Sequence, residues 1–296
     1  MALDDNGPLL AGVTWSLCLV SGFFLGLRLY AKISRRHPLW WDDHILIFSW
    51  VLLLIESIMT QIGITIGLGK HTDQIPLINL FITAVGLSIG TTITCFASTL
   101  SKISFGVTLL RLTSGYTRTF VWFCIVSLFV VMLPSAFLPY LRCRPLMKMW
   151  NPTIEGDCWD AQTLIGYGYF NAAWCACADF ALALLPWKLI WGLQLSLRDK
   201  IGVSVAMSMG LLAGVCAVVK GVYLGQLGQD DFTYNGKDVI IWTAVETATA
   251  IVGASIPVLR VFFKETISSS HSRSHRTFET AKSAPELSLS TLQSTT

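Results

Sequence analysis

Seven stretches of this chain are each long and apolar enough to cross a bilayer, and that fact limits what it can fold into more than any other. A spanning helix needs about 20 mostly apolar residues, because it rises about 1.5 Å per residue through about 30 Å of hydrocarbon. The stretches run Leu9–Ala31, Asp43–Ile66, Leu77–Leu110, Phe120–Leu141, Leu164–Trp187, Ile201–Gln226 and Val239–Phe262. They are continuous, whereas the strands of a membrane barrel alternate over about ten residues. With no water in the hydrocarbon, each backbone must satisfy its hydrogen bonds within its own helix. The expectation is an all-α, seven-transmembrane helix bundle over residues 9–264. The third stretch exceeds one span and is expected to tilt or project from the hydrocarbon.

Composition agrees with this. The chain is 53% hydrophobic and 13% charged, about half the charged fraction of soluble domains. A formal net charge of +3 scattered over short loops offers no nucleic-acid surface. Orientation follows from Lys and Arg beside the spans. Arg28, Lys32, Arg35, Arg36, Arg111, Arg118, Lys188, Arg198, Lys200, Arg260 and Lys264 fall on one side; Lys70, Arg142, Arg144, Lys148 and Lys237 fall on the other. The richer side is expected in the cytoplasm. That puts the N-terminus outside and the C-terminus inside, in a plasma membrane or endomembrane. Residues 1–8 are then an extracellular N-terminus; they carry Asp4 and Asp5 and lack the basic n-region of a signal peptide. Residues 265–296 are read as a disordered, Ser/Thr-rich cytoplasmic tail, either regulated or merely solubilising.

A charge inside the hydrocarbon costs about 3 kcal/mol or more, so Glu56, Lys102, Asp179, Lys220 and Glu246 each need an explanation. Depth nominates partners. Lys102 precedes Arg111, and Asp179 precedes Lys188, by the same nine residues. Lys220 and Glu246 stand at similar distances from the opposite ends of their helices. Two ion pairs are expected, Lys102–Asp179 toward one face and Lys220–Glu246 toward the other. Glu56 has no evident partner and is expected to hold a proton. The pairs either fix helix registration or line a polar cavity for a lipophilic ligand, an ion or a proton; the cavity is the preferred reading. Asp42 and Asp43 follow Trp40-Trp41 at the start of the second helix. They are read as caps on backbone N–H groups, facing a favourable helix dipole, rather than as metal ligands. No metal or cofactor is expected.

Six of the eight cysteines lie within spans and read as small apolar residues. Cys175 and Cys177 have no His pair with which to form a zinc site. Cys143 and Cys158 lie in a loop assigned to the outside, where disulfides persist. A Cys143–Cys158 disulfide is expected, closing a loop of about 15 residues and contributing about 3 kcal/mol. It would hold Trp150 and Trp159 either as a lid or as interfacial anchors. Asn151 precedes Pro152, which blocks its glycosylation sequon, and Gly67-Leu-Gly-Lys-His71 lacks the preceding strand of a nucleotide-binding loop. Gly22/Gly26, Gly86/Gly90, Gly210/Gly214 and Gly221/Gly225 are spaced for close helix packing within the bundle.

Several short motifs resemble those of a known family when read in order: Arg28-Leu-Tyr-Ala-Lys32, Trp41-Asp-Asp43, Gly67 to His71, Lys102-Ile-Ser104 with Arg111, and Cys143 to Pro145 with Trp150 and Cys158. The second half adds Asn171, Asp179, Leu185-Pro186, Trp191, Gln194, Lys200, Gly210, Glu246 and Pro257-Val-Leu-Arg260. Together they look like the fungal rhodopsin-domain integral membrane proteins, over most of the chain up to about Phe263. That group includes Pth-type receptor-like proteins and members encoded in mycotoxin gene clusters. The resemblance implies a receptor-like seven-helix fungal protein with a link to secondary metabolism. Lys220 departs from the expected Arg, keeping the charge but losing the bidentate fork. The cysteine-rich extracellular domain of some relatives is not in this sequence. A retinal pigment is not implied, because Val239–Phe262 contains no Lys for a Schiff base.

Three functions are weighed. The preferred one is a receptor or sensor with a small lipophilic ligand and a cytoplasmic signalling partner. The alternative is a membrane-embedded cyclase or isomerase in which Glu56, Asp179 or Glu246 supplies a proton, although no H-E-x-x-H and no paired Asp-rich motif occurs. A transporter or scaffold ranks last, since no internal repeat is evident. Enzyme activity is left open, with a non-enzyme preferred.

Overall fold

A computed structural model describes residues 6–34, 36, 38–71, 75–111, 113–150, 154–191, 197–226 and 236–259. The expected tail, 265–296, and residues 1–5 lie outside the described residues. The helices are α1 (Gly7–Ser34), α2 (Trp41–Ile66), α3 (Leu77–Leu110), α4 (Tyr116–Leu141), α5 (Ala161–Trp191) and α6 (Leu197–Gln226), followed by α7 (Gly236–Leu259). Among the described residues these are seven helices long and apolar enough to span. Several begin before their apolar stretch, α4 at Tyr116 instead of Phe120 and α7 at Gly236 instead of Val239. The polar first turn of a helix carries no hydropathy signal.

Local chemistry explains the breaks and bends. α2 stops at Gly67, whose φ of 131° is open to glycine and strained for other residues. There the N–H groups of Gly67 and Leu68 both reach the Gly63 carbonyl, at 3.0 and 2.9 Å. α4 contains Pro134 and Pro139, each of which withholds a donor from the helix. Carbonyls one residue beyond those the prolines leave unpaired take side-chain donors from neighbouring helices: Tyr167 Oη donates to Val131 O at 2.7 Å and Thr92 Oγ1 to Ala136 O at 2.9 Å. Proline is tolerated in a spanning helix on those terms.

Two apolar clusters hold the bundle. One gathers Val121, Leu128 and Met132 of α4 with Leu109, Cys175, Leu182 and Ala217 of α3, α5 and α6. The other joins Leu25, Leu46, Leu53 and Ile251 of α1, α2 and α7. Small residues close the α5–α6 seam. A methyl group at Gly214 would lie 2.8 Å from the Phe180 ring, and one at Gly210 2.7 Å from Ala183. Gly221 likewise abuts Ala172. Gly22 abuts the Trp50 indole in the same way, but at Gly86 and Gly90 an added methyl would meet nothing within 4 Å. The packing role expected of that last pair is therefore corrected: α3 presents bare backbone to open space there. Phe23, Tyr30, Phe123 and Val130 are each at least 60% exposed, as lipid-facing side chains should be.

At one end of the bundle Cys143 and Cys158 are joined by a disulfide, inside a two-stranded antiparallel pairing of Cys143–Arg144 with Asp157–Cys158. The two tryptophans of this loop differ. Trp150 is half-buried and its Nε1 donates to Ser88 Oγ of α3 at 3.2 Å, as a lid residue would. Trp159 is 55% exposed, as an anchor would be.

Candidate functional site

Midway along the bundle three helices meet at the Glu246 carboxylate, and a fourth joins them through Lys102. Lys102 Nζ of α3 donates to Asp179 Oδ2 of α5 at 2.7 Å and to Glu246 Oε1 of α7 at 2.6 Å. Lys220 Nζ of α6 donates to Glu246 Oε2 at 2.5 Å, and Ser98 Oγ adds a bond to Glu246 Oε1 at 3.1 Å. Lys102, Asp179 and Glu246 are buried. The two cations and two carboxylates cancel formally, which is how charge survives in a medium of low dielectric. Depth counting placed the two pairs apart; they form one continuous chain. A lysine carries its charge on a flexible four-carbon stem, so Lys102 bridges the axial gap that separates Asp179 from Glu246. Lys220, in place of an arginine, suits a contact that meets one carboxylate oxygen only.

Beside this chain lies a cavity of about 20 Å³ lined by Lys102, Asp179, Leu182, Gly210, Thr249 and Gly253. That volume admits about one water molecule.

A second network lies at the opposite end from the disulfide. Arg28 of α1 donates from Nη2 to Asp42 Oδ2 at 2.6 Å and from Nε to Asp43 Oδ1 at 2.9 Å, and its Nη1 reaches the Ala254 carbonyl of α7. Lys32 Nζ bonds Asp43 Oδ2 at 2.5 Å. Arg111 of α3 bonds Asp42 Oδ1 at 2.5 Å while stacking over the Trp40 ring at 4.5 Å. Ser104 Oγ donates to the Asp42 carbonyl at 2.7 Å. Asp43 also accepts the Trp40 N–H at 3.1 Å, the one cap-like bond either carboxylate makes among the described residues. Reading Asp42 and Asp43 as caps therefore missed most of their bonding. Arg28, Lys32 and Arg111, which enter the sequence reading only as orientation charges beside the spans, are the network's cationic members. The missed signal was Arg28 itself, which falls inside the Leu9–Ala31 stretch and so needed a partner as much as Lys102 did.

Glu56 joins neither network. It is buried; Oε1 accepts from Thr60 Oγ1 at 3.0 Å and Oε2 has no partner. Among the described residues no group of three His, Cys, Asp or Glu side chains is placed to hold a metal.

The fold and its neutralised interior charges define a multi-pass integral membrane protein built from seven helices. The chain belongs to the fungal rhodopsin domain family, which matches residues 27–265 and so takes in both networks. It is 31% identical over 158 residues to the fugralins biosynthesis cluster protein 2 of Gibberella zeae, covering 51% of this chain and 39% of that one. It is 28% identical over 151 residues to the wortmanamides biosynthesis cluster protein C of Talaromyces wortmannii (51% and 37%). It is 26% identical over 133 residues to a SAT4 family membrane protein of Emericella nidulans (45% and 32%). The matched stretch thus spans under two fifths of each relative's own length. No solved structure matches the chain.

Proposed function

We propose that this protein is a receptor-like sensor that reports on a small lipophilic molecule within a fungal secondary-metabolite system. In this reading the Arg28 end and residues 265–296 lie in the cytoplasm, where a signalling partner docks, and the disulfide end and residues 1–8 lie outside. The excess of Lys and Arg around the Arg28 end supports that orientation, as does a disulfide at the other end. The names of the relatives support the link to biosynthetic clusters.

The observation that carries the sensor reading is Glu246, one carboxylate shared by Lys102 and Lys220. A carboxylate held by cations from two other helices is an element with two discrete arrangements, since either lysine can keep it when the other leaves. Signalling requires such an element. Among the described residues the cavity beside Lys102 and Asp179 is water-sized, so it gives the cyclase reading no support.

The test is to delete the gene in its host fungus and measure transcripts and metabolites of the adjoining biosynthetic genes. A sensor predicts a fall in transcripts, restored by the wild-type gene but not by Lys220→Met. Accumulation of a precursor at unchanged transcript level would show an enzyme. Accumulation of the product inside the cell would show a transporter.

A further inference from the structure

The ion pairs of the central network leave part of its hydrogen-bonding capacity unused. An ammonium carries three N–H donors. Lys102 uses two of them, on Asp179 Oδ2 and Glu246 Oε1. Asp179 accepts on Oδ2, and among the described residues no donor reaches its Oδ1. The two side chains are only 2% and 6% exposed. A charged group held away from bulk water and left short of a bond is costly, so a partner for each is to be sought beside them.

Both side chains line the cavity of about 20 Å³, and so does Thr249 of α7. The Thr249 hydroxyl turns its hydrogen to its own helix, 2.8 Å from Val245 O and 2.9 Å from Glu246 O. Its oxygen can still accept. One donor and two acceptors thus border one small space, whose remaining wall includes the apolar Phe105, Leu182 and Ala213. A buried water needs about 10–15 Å³ of such space and makes about three hydrogen bonds. The cavity supplies both. Charge decides among other occupants of that size. The Lys102 ammonium repels a sodium ion and the Asp179 carboxylate repels a chloride ion, whereas a neutral molecule that donates and accepts meets neither repulsion.

We infer that this cavity is a binding site for one ordered water molecule, held as a member of the central network. The water accepts the third N–H of Lys102 and donates to Asp179 Oδ1 and Thr249 Oγ1. It adds a second link between α5 and α7, which the ion pairs join only through Lys102. It also gives Lys102 a neutral partner that stays when either carboxylate moves away. The site goes beyond the sensor reading and stands whether or not the protein signals.

The test looks for that water in the wild-type protein. Purified protein in nanodiscs receives a short synchrotron X-ray pulse, which splits water into hydroxyl radicals. A radical reacts close to where it forms, so a buried side chain is oxidised readily only where water is its neighbour. Leu182 and Leu128 are matched probes. They are the same residue type in the same apolar cluster, 1% and 0% exposed, and of the two only Leu182 lines the cavity. Oxidation of each is read by peptide mass spectrometry. Leu182 is expected to oxidise several-fold faster than Leu128; equal rates would overturn the inference. Thr249→Val, isosteric and outside the ion pairs, removes one of the three partners. It should lower the Leu182 rate and leave that of Leu128 unchanged. A Leu182 rate unaltered by this variant would mean that the radicals arise elsewhere, and would likewise overturn the inference. The readout involves no transcript or metabolite, so the water site and the sensor reading fail separately.

Discussion

The two buried networks solve one problem in different ways. The central one sets two cations against two carboxylates, and its members come from α3, α5, α6 and α7. The Arg28 network sets three cations against two carboxylates on α1, α2 and α3, and it reaches α7 only through a backbone carbonyl. The central chain uses lysines alone, and each ammonium meets only one oxygen of any carboxylate it touches. The other is built around a guanidinium whose planar fork serves two carboxylates and a carbonyl together. A point charge on a flexible stem can change partners; a fork in a matched cradle resists doing so. The comparison assigns rearrangement to the centre and rigidity to the Arg28 end.

Four substitution experiments bear on that contrast. Glu246→Gln should have the largest effect, because it leaves Lys102 and Lys220 facing each other's charge. Breaking a buried pair costs about 3–5 kcal/mol, visible as a large drop in the thermal midpoint of detergent-solubilised protein. Arg28→Lys keeps the charge but gives up the fork, and hydrogen bonds to charged groups contribute about 1.5–3 kcal/mol each; the loss should fall in that range. If Arg28→Lys were silent, the rigid-cradle half of the contrast would fail. Arg111→Ala removes a side chain that is 39% exposed, and exposed pairs contribute about 0–1 kcal/mol, so its shift should be the smallest of the single changes. The Arg28→Lys/Glu246→Gln double variant should show a coupling below about 0.5 kcal/mol, the limit for independent sites. A larger coupling would mean that the two networks act as one.

The sequence revealed the seven helices because hydropathy sums over twenty or so residues, and no local detail can reverse such a sum. It revealed which charges pair at the centre because a helix converts residue number into depth. It did not show that Lys102 touches both Asp179 and Glu246, since depth counting treats a side chain as a point and a lysine stem is several ångströms long. It hid the Arg28 network for another reason: Asp42 and Asp43 sit where a cap is the ordinary expectation, and that local explanation masked a long-range one. The surroundings of Glu56 were half legible. The absence of a partner could be read from the sequence, but the open backbone at Gly86 and Gly90 could not. Glycine spacing looks the same whether a neighbouring helix fills the notch, as Phe180 does at Gly214, or leaves it empty.

The seam between α5 and α6 has a mechanical consequence. Backbones brought that close by Gly210, Gly214 and Gly221 interlock like the teeth of two combs, and cannot slide past each other without steric collision. The pair therefore moves as one lever. Asp179 rides on one arm of it and Lys220 on the other, so any stroke of the lever pulls on Lys102 and Glu246 together. Any movement of the pair as a unit would load the Asp179–Lys102 and Lys220–Glu246 contacts together.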